Sequence, residues 1–332
     1  MTMHRLGWIC VVVAGAGCAA GSNTDPGSAG HDSGGGLQVD GGDGGLSGDG
    51  GPIGPGDGTP VIYANTDDSL YSMDPTTKKV TLIGKFTGGT GSMTDCAVNG
   101  EGKLFVNSTT EVYSAALPAG GAGPVTLTLK TTLPTASKFY ALGFTPAGVL
   151  EPDESLIAGD GAGDLYFIDT TGPAATPLKL GVFGSWTSGD PGPGKVGDLW
   201  TLSGDVVFYM DGATPRGLAT LRACTPSATG KPKCQSTNDV LAEIDMTALK
   251  KAFDTKSPAN VRKRIIGGGA GVGELYGVGA WDDTVYAFGR NPAQLVGING
   301  SGAGASLETF SSITNGWSGA GVTTKAKISV IR

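Results

Sequence analysis

The segment Val61-Ile-Tyr-Ala-Asn-Thr66 is followed, after two aspartates, by Ser69-Leu-Tyr-Ser-Met-Asp74. Both segments are short and rich in β-branched and aromatic residues, and turn-forming residues stand at their ends. This is the pattern of two successive β-strands joined by a tight turn. The aspartate that closes the second segment suits a turn, because its side chain can accept hydrogen bonds from the next backbone amides.

The same pair of segments recurs along the chain, with a third strand-like segment after it and a Gly-rich segment before it. The copies of the first segment are Val61–Thr66, Lys103–Ser108, Ser155–Asp160, Val206–Asp211 and Thr284–Gly289. The copies of the Gly-rich segment are Thr94–Asn99, Tyr140–Thr145, Gly197–Leu202, Tyr276–Trp281 and Ser318–Thr323. Copies of the second segment end in Asp74, Asp169 and Asp245, for which we predict turn roles.

Units of four short strands, repeated five times, predict an all-β fold of the β-propeller type, in which four-stranded blades surround an axis. The Gly-rich segments would be the inner strands, where backbones approach closely. Pairing of Ser318–Thr323 with Val61–Thr66 would close the ring and remove two open sheet edges. Over residues 60–324 the pattern resembles propellers that bind sugars and proteins. Lys327–Arg332 has no place in this scheme, so a sixth blade stays open, and Asp245–Phe253 could form one or two helical turns.

The N-terminus has the pattern of an export signal. Arg5 precedes an apolar run, Leu6–Ala16, which is shorter than the ~20 residues that cross a membrane, so residues 1–17 are interpreted as a cleaved signal peptide. The run Ala14-Gly-Ala-Gly-Cys18 resembles the lipobox of bacterial lipoproteins, and the resemblance implies that Cys18 carries the lipid. The alternative is ordinary cleavage after Ala16 or Ala20, with Cys18 incidental.

Residues 18–59 are interpreted as a flexible linker. Their Gly-rich sequence contains six Asp and no Lys or Arg, and it cannot bury enough apolar surface to fold. Residues 60–332 would form the propeller. A lipid-anchored domain needs a stalk of this kind to stand off from a membrane surface.

The composition excludes several functions for the folded domain. The chain has two His, at positions 4 and 31, so the domain lacks His-based catalytic triads and His-ligated metals. Its charges nearly balance, and clustered Lys and Arg for nucleic acid are missing. The sequence predicts no cofactor and no metal site.

The cysteines suggest one structural bond. Cys224 and Cys234 flank a predicted insertion, residues 212–238, in the fourth unit, and a disulfide between them would pin the loop in an oxidising compartment. Two free thiols are the alternative. Cys96 is predicted to be a small buried hydrophobe.

The propeller pattern also predicts a binding face. In propellers, the loops that lead into inner strands share a face with the loops between the next two strands. This rule brings together Trp186, Asp190, Tyr140 and Trp317, together with Arg290, Asp67 and Asp68. Asp95 and Asp198 lie near the starts of inner strands, towards the central opening. Aromatic rings on one face suit sugar or peptide binding, whereas the alternative is that the rings wedge between blades.

These observations predict a lipid-anchored binding or scaffold protein of the outer membrane or cell surface rather than an enzyme. Its partner would be a glycan, a peptide or another envelope protein, and only the N-terminal lipid would contact the membrane. The alternative function is a polysaccharide hydrolase or lyase that uses paired carboxylates, with Asp95 and Asp198 as the candidates.

Overall fold

The computed structural model describes residues 61–190, 194–227, 232–235, 237–268, 273–281, 284–298, 304–310, 312–313 and 316–326. Over these ranges the chain is almost entirely β-structure, which confirms the predicted all-β class. The proposed signal peptide, Cys18, the linker and Lys327–Arg332 lie outside the described residues. Within them, no helix is long and apolar enough to cross a membrane.

The strands of the N-terminal half are, in chain order, β1 (Ile62–Asn65), β2 (Ser69–Met73), β3 (Val80–Thr87), β4 (Asp95–Val98), β5 (Leu104–Asn107), β6 (Glu111–Ala116), β7 (Val125–Thr132), β8 (Phe139–Thr145), β9 (Ser155–Asp160), β10 (Leu165–Ile168) and β11 (Leu178–Val182). The C-terminal half contains β12 (Leu199–Asp211), β13 (Thr214–Thr225), β14 (Lys233–Cys234), β15 (Val240–Ile244), helix α1 (Met246–Thr255), β16 (Ala259–Asn260), β17 (Arg262–Gly268), β18 (Leu275–Trp281), β19 (Thr284–Gly289), β20 (Gln294–Ile298), β21 (Gly304–Thr309) and β22 (Gly319–Gly321).

Consecutive strands pair antiparallel in groups of four, as the repeat predicts. The groups are β4–β7, β8–β11, β12 with β13, β15 and β17, and β18–β21. Strands β1–β3 form a further group with β22, and a short parallel pairing of β3 with β7 links it to β4–β7. Two short strands extend the sheets, since β16 pairs with β11 and β14 pairs with β13.

The predicted closure is confirmed. Strand β22 pairs antiparallel with β1, and Gly321, Ala320 and Gly319 lie opposite Tyr63, Ala64 and Asn65. The two ends of the described chain therefore share one sheet, and the hydrogen-bonding edge that β1 would otherwise expose towards the ring axis is covered.

The inner strands β4, β8, β12, β18 and β22 contact one another in a closed cycle, each touching the next and β22 touching β4. Their glycines make this approach possible. A Cβ on Gly143 would lie 2.8 Å from the Val206 carbonyl oxygen, and one on Gly321 would lie 2.5 Å from that of Cys96. These distances leave no room for a side chain, so the Gly-rich composition of the inner strands is a packing requirement.

The fourth group differs from the sequence prediction. Gly197–Leu202 and Val206–Asp211 were assigned to two strands, but β12 runs through both, with an irregularity in register between Leu202 and Val206. The predicted insertion 212–238 contains all of β13, which is the next full strand. Ser203-Gly-Asp205, which lies between the two predicted strands, continues β12, and the Asp205 side chain accepts amides at the ring axis.

Helix α1 follows β15 and begins at the predicted position. The Asp245 side chain accepts hydrogen bonds from the amides of Thr247 and Ala248, both at 3.0 Å, and is the N-cap. Asp74 and Asp169 accept similar bonds in their turns, so the predicted turn roles are confirmed. The helix buries Leu249 and Ala252 and ends at Thr255, with Lys256 as its C-cap.

Candidate functional site

A cavity of about 780 Å³ opens at the end of the ring where the inner strands begin. Each inner strand contributes a residue to the wall: Thr94, Tyr140, Tyr276 and Ser318 lie at or near the starts of their strands, whereas Ser203 lies inside the long strand β12. Because these residues come from all the strands of the cycle, the cavity lies on the ring axis. We call it the mouth pocket.

The outer wall of the mouth pocket is formed mostly by hairpin turns. Asp67 comes from the β1–β2 turn, Asp160 and Gly161 from the β9–β10 turn, and Arg290 from the β19–β20 turn, while Arg222 lies in β13. Hydroxyl groups are abundant in the lining: Thr90, Ser92, Thr94, Ser108, Thr109, Thr110, Thr201, Ser203 and Ser318. The surface therefore offers many groups that both donate and accept hydrogen bonds.

Arg222 is held at the pocket wall by Ser203 and lies near Asp239. Its Nη2 donates to the Ser203 carbonyl oxygen at 2.8 Å and to the Ser203 hydroxyl at 2.6 Å. The Ser203 hydroxyl in turn donates to Asp239, which also accepts the Leu275 amide at 2.8 Å. Burial raises the pKa of Asp239, and Arg222 acts in the opposite direction.

Arg290 is held in a similar way on another part of the wall. Its Nη1 lies 3.2 Å from the Ser318 hydroxyl and 3.4 Å from Oδ1 of Asp67. The Ser318 hydroxyl donates to the same Asp67 oxygen at 2.6 Å. Each pocket arginine thus belongs to a trio of Arg, Ser and Asp.

Tyr276 joins these two trios. The guanidinium carbons of Arg222 and Arg290 lie 5.4 and 5.5 Å from the centroid of its ring, within the range of cation–π attraction. Tyr276 is also the residue before Gly277, whose Cβ would lie 2.7 Å from the Gly319 carbonyl carbon. The ring is therefore presented from a tightly packed inner strand.

Tyr140 supplies the second aromatic ring of the pocket, and 40% of its surface is exposed. The ring lies over the β9–β10 turn, where a Cβ on Gly161 would be 3.0 Å from its Cε2. Asp160 in that turn accepts the amides of Ala162 and Asp164 and the Tyr166 hydroxyl. Burial raises the pKa of Asp160.

The ring axis contains a pair of carboxyl groups that do not line the mouth pocket. Asp95 and Asp205 are fully buried and hydrogen-bonded to each other. Asp95 accepts the amides of Cys96 at 2.7 Å and Leu142 at 2.6 Å. Asp205 accepts those of Val206 at 2.5 Å and Val278 at 2.6 Å, and also that of Ala320. Burial raises the pKa of both groups, and the charge of Asp205 adds to the effect on Asp95.

Of the residues singled out by sequence, Tyr140, Asp67, Arg290 and Cys234 line the mouth pocket. Trp317 was expected on the accessible face, but it has no exposed surface. Its ring packs edge-to-face against three neighbours, Tyr71, Phe288 and Phe310. Trp317 therefore contributes to the core, which is the alternative that the sequence left open.

The other predicted site residues lie outside the lining. Asp95 is part of the axial pair. Asp198 is buried and accepts the Thr225 hydroxyl at 2.8 Å and the Lys195 amide at 2.9 Å. Trp186 is partly buried and packs against a hydrophobic cluster that contains Trp200.

Asp190 is tied to Arg262 at 2.7 Å and to the Trp200 indole nitrogen at 3.1 Å. Burial raises its pKa, but hydrogen bonds from Thr187, Arg262 and Trp200 outweigh that effect, and the net shift is downward. Asp190 is thus a partly buried cross-link between a loop and β17 rather than a free carboxylate.

The predicted disulfide between Cys224 and Cys234 is present and forms part of the pocket rim, since Cys234 lines the cavity. Cys96 is buried and free, as expected. Among the described residues, no group of three or more His, Cys, Asp or Glu side chains is arranged to hold a metal ion.

Sequence reasoning missed Arg222, Ser203 and Asp205. All three lie in the fourth group, where the strand assignment was wrong. Correct alignment of Ser203-Gly-Asp205 with Ser318-Gly-Ala320 would have placed Ser203 at the mouth and Asp205 on the axis.

No protein-family model and no curated protein matches the chain. Similar solved structures include a chain of the nidogen/laminin complex, with 9% identity over 81% of this chain and 100% of that one and a TM-score of 0.40. The β-propeller domain of Cps50 (Swd1) from Myceliophteria thermophila has 13% identity over 76% and 83% of the two chains, at a TM-score of 0.37. An auxiliary nutrient binding protein from Bacteroides thetaiotaomicron has 10% identity over 76% of this chain and 55% of that one, with a TM-score of 0.35.

Proposed function

We propose that the chain is a five-bladed β-propeller that binds carbohydrate in its mouth pocket and is tethered to the cell envelope through a lipid on Cys18. The closed cycle of β4, β8, β12, β18 and β22 supports the propeller, because each of these strands is the first of a four-stranded antiparallel group. In this scheme each group is one blade.

One observation carries the binding proposal: the rings of Tyr140 and Tyr276 share a single cavity with nine Ser and Thr residues. The apolar face of a sugar ring can stack on a tyrosine, and its hydroxyls can exchange hydrogen bonds with side-chain hydroxyls, Asp and Arg. A volume of about 780 Å³ lies within the ~300–1,000 Å³ range of small-ligand pockets.

The positions of the candidate carboxylates support binding rather than catalysis. A glycosidase needs two carboxyl groups that flank the scissile bond. Asp95 and Asp198, the candidates from sequence, do not line the mouth pocket, and their oxygens already accept hydrogen bonds from the protein.

Titration calorimetry of the protein without its signal and linker, against a panel of neutral and acidic oligosaccharides, tests this function. Tyr276→Ala and Tyr140→Ala are expected to weaken saccharide binding about tenfold, or ~1.4 kcal/mol. Leu129→Ala is the control, because Leu129 is 49% exposed on β7 and does not line the pocket. Failure of the whole panel to bind, or equal losses in the control, would contradict the proposal. Capture of an envelope protein that is insensitive to Tyr276→Ala would favour a protein partner instead.

The tether is tested separately in cells. Mass spectrometry of the mature N-terminus is expected to show a lipid-modified Cys18. Cys18→Ser is expected to release the protein from the membrane fraction, whereas Cys10→Ser, which changes a cysteine inside the proposed signal, is expected to leave it there. Cleavage after Ala16 or Ala20 with no lipid would contradict the anchor and leave the pocket proposal unaffected.

A further inference from the structure

The two arginines of the mouth pocket make unusually loose ion pairs. Arg222 lies 3.8 Å from Asp239, and Arg290 lies 3.4 Å from Asp67. Charge-assisted N–H···O bonds are normally about 2.7–2.9 Å long. Both pocket arginines therefore retain capacity to bind a further anion.

Other arginines of the described residues lie closer to their carboxylate partners. The ion pairs of Arg216 with Glu243, of Arg262 with Asp190 and of Arg264 with Glu243 are all 2.7 Å long. The longer nitrogen–oxygen distances thus distinguish the two pocket arginines from these other described arginines.

Arg222 also has an unused donor. Its Nε is buried and has no hydrogen-bond partner among the described residues, although its Nη2 is fully engaged with Ser203. A buried donor without an acceptor costs about 1–3 kcal/mol. The Nε of Arg262 is unmatched in the same way, so the long ion-pair distances, and not this donor, are what distinguish the pocket arginines.

The carboxylates of the lining do not compete for this role. Asp67 already accepts the Ser318 hydroxyl and faces Arg290. In Asp160, one oxygen accepts two backbone amides and the other accepts the Tyr166 hydroxyl. Asp67 is thus paired with Arg290, and both Asp160 oxygens are occupied by donors of the protein, so neither carboxylate is a free acceptor that would compete for the guanidinium groups.

We propose that the ligand of the mouth pocket is a sugar with an anionic substituent, which binds to the guanidinium groups of Arg222 and Arg290 beside Tyr276. The inference rests on the proposed carbohydrate function and specifies its ligand class. The fork of an arginine matches the oxygens of a carboxylate or of a sulfate ester, and two arginines on one tyrosine ring can share such a group. The hydroxyl-rich remainder of the wall would contact the sugar itself.

Titration calorimetry with three matched oligosaccharides tests the ligand class: a uronic acid trimer, a sulfated trimer and a neutral glucose trimer. The acidic ligands are expected to bind at least about tenfold more tightly than the neutral one at low salt. The preference should shrink as ionic strength rises from about 0.01 to 0.15 M, because the Debye length falls from about 30 to 8 Å. Tight binding by one acidic trimer but not the other would identify the anionic group.

Arg290→Gln is the main variant, because Arg290 is the more exposed of the two and its loss disturbs the wall least. It is expected to weaken acidic-sugar binding about tenfold and neutral-sugar binding less than about twofold. Arg222→Gln should act in the same direction, with its fold checked by circular dichroism. Lys103→Gln removes an exposed positive charge from the β4–β5 turn, at the opposite end of β4, and is expected to change neither affinity.

Different results would contradict the anionic ligand class and the carbohydrate-binding function. If the neutral trimer binds as tightly as the acidic ones, or if Arg290→Gln leaves acidic-sugar affinity unchanged, the ligand class is wrong while carbohydrate binding stands. If no saccharide of any charge binds, the function itself is wrong.

Discussion

The carboxyl groups of Asp95 and Asp205 are hydrogen-bonded to each other at the centre of the inner-strand cycle, where neither has solvent exposure. Together they accept backbone amides from β4, β8, β12, β18 and β22. Two buried carboxylates in contact cannot both ionise without a large electrostatic cost, so the pair retains a proton. The pair therefore links all the inner strands through one proton-dependent contact.

This pair is expected to make stability depend on pH in an unusual direction. Burial and the neighbouring Asp205 raise the pKa of Asp95 above the unfolded value of about 3.9. The stabilisation is therefore complete below that value and is lost as pH rises through the raised pKa. In urea unfolding at a series of pH values, the free-energy difference between wild type and Asp95→Asn should shrink from about pH 4 upwards.

Asp74 provides the opposite control for the pH series. It is a turn aspartate whose carboxylate accepts amides, and its pKa is lowered although its slight burial acts the other way. The effect of Asp74→Asn should be present at neutral pH and vanish as pH falls. A difference for Asp95→Asn that grows with pH would contradict the shared proton.

Gly319→Ala is expected to destabilise the ring closure. Gly319 lies in β22 opposite Asn65, and a Cβ there would collide with the side chain and backbone of Asp95. Overpacking of this kind typically costs about 1–3 kcal/mol. Thermal and urea unfolding would measure the loss. Gly120→Ala is the matched control, because a Cβ at Gly120 has nothing within 4 Å, and an equal loss there would contradict the packing argument.

The fold was accessible from sequence because its signals are local and repeated. Segments such as Ser69–Asp74 carry their own strand pattern and closing aspartate, and five copies reinforce one another. The strands of the fourth group were assigned wrongly because Ser203-Gly-Asp205 has the composition of a turn but lies in a continuous strand. Asp205 accepts hydrogen bonds from amides that include one distant in the sequence, that of Val278, so no local pattern reveals its role.

The site was only partly accessible for the same reason. Tyr140 and Arg290 follow from which loops a propeller brings to one face, and both line the pocket. Whether a large aromatic on such a loop points to solvent or core depends on its neighbours. Trp317 turns inward because Phe288, two residues before Arg290, and Phe310 provide edge-to-face partners. Arg222 needed the correct strand register before it could be placed.

Removal of the disulfide is expected to loosen one rim of the mouth pocket. β14 is a two-residue strand that pairs with β13, and the bond from Cys224 to Cys234 holds it there across a separation of 10 residues. Closure of a loop of this size contributes about 2–3 kcal/mol in the chain-entropy model. Cys224→Ser with Cys234→Ser should lower the free energy of unfolding by that amount. Reductant should reproduce the loss in wild type and have no effect on the double variant, and a sensitive double variant would contradict this assignment.

Trp317 and Tyr140 should separate stability from binding. Trp317 is fully buried among Tyr71, Phe288 and Phe310, so Trp317→Ala is expected to cost about 3–5 kcal/mol of unfolding free energy. Tyr140 is 40% exposed in the pocket wall, and Tyr140→Ala should change stability by less than about 1 kcal/mol while weakening saccharide binding. Urea unfolding and calorimetry on the same samples would check both. A stable Trp317→Ala variant with impaired binding would contradict the assignment of this ring to the core.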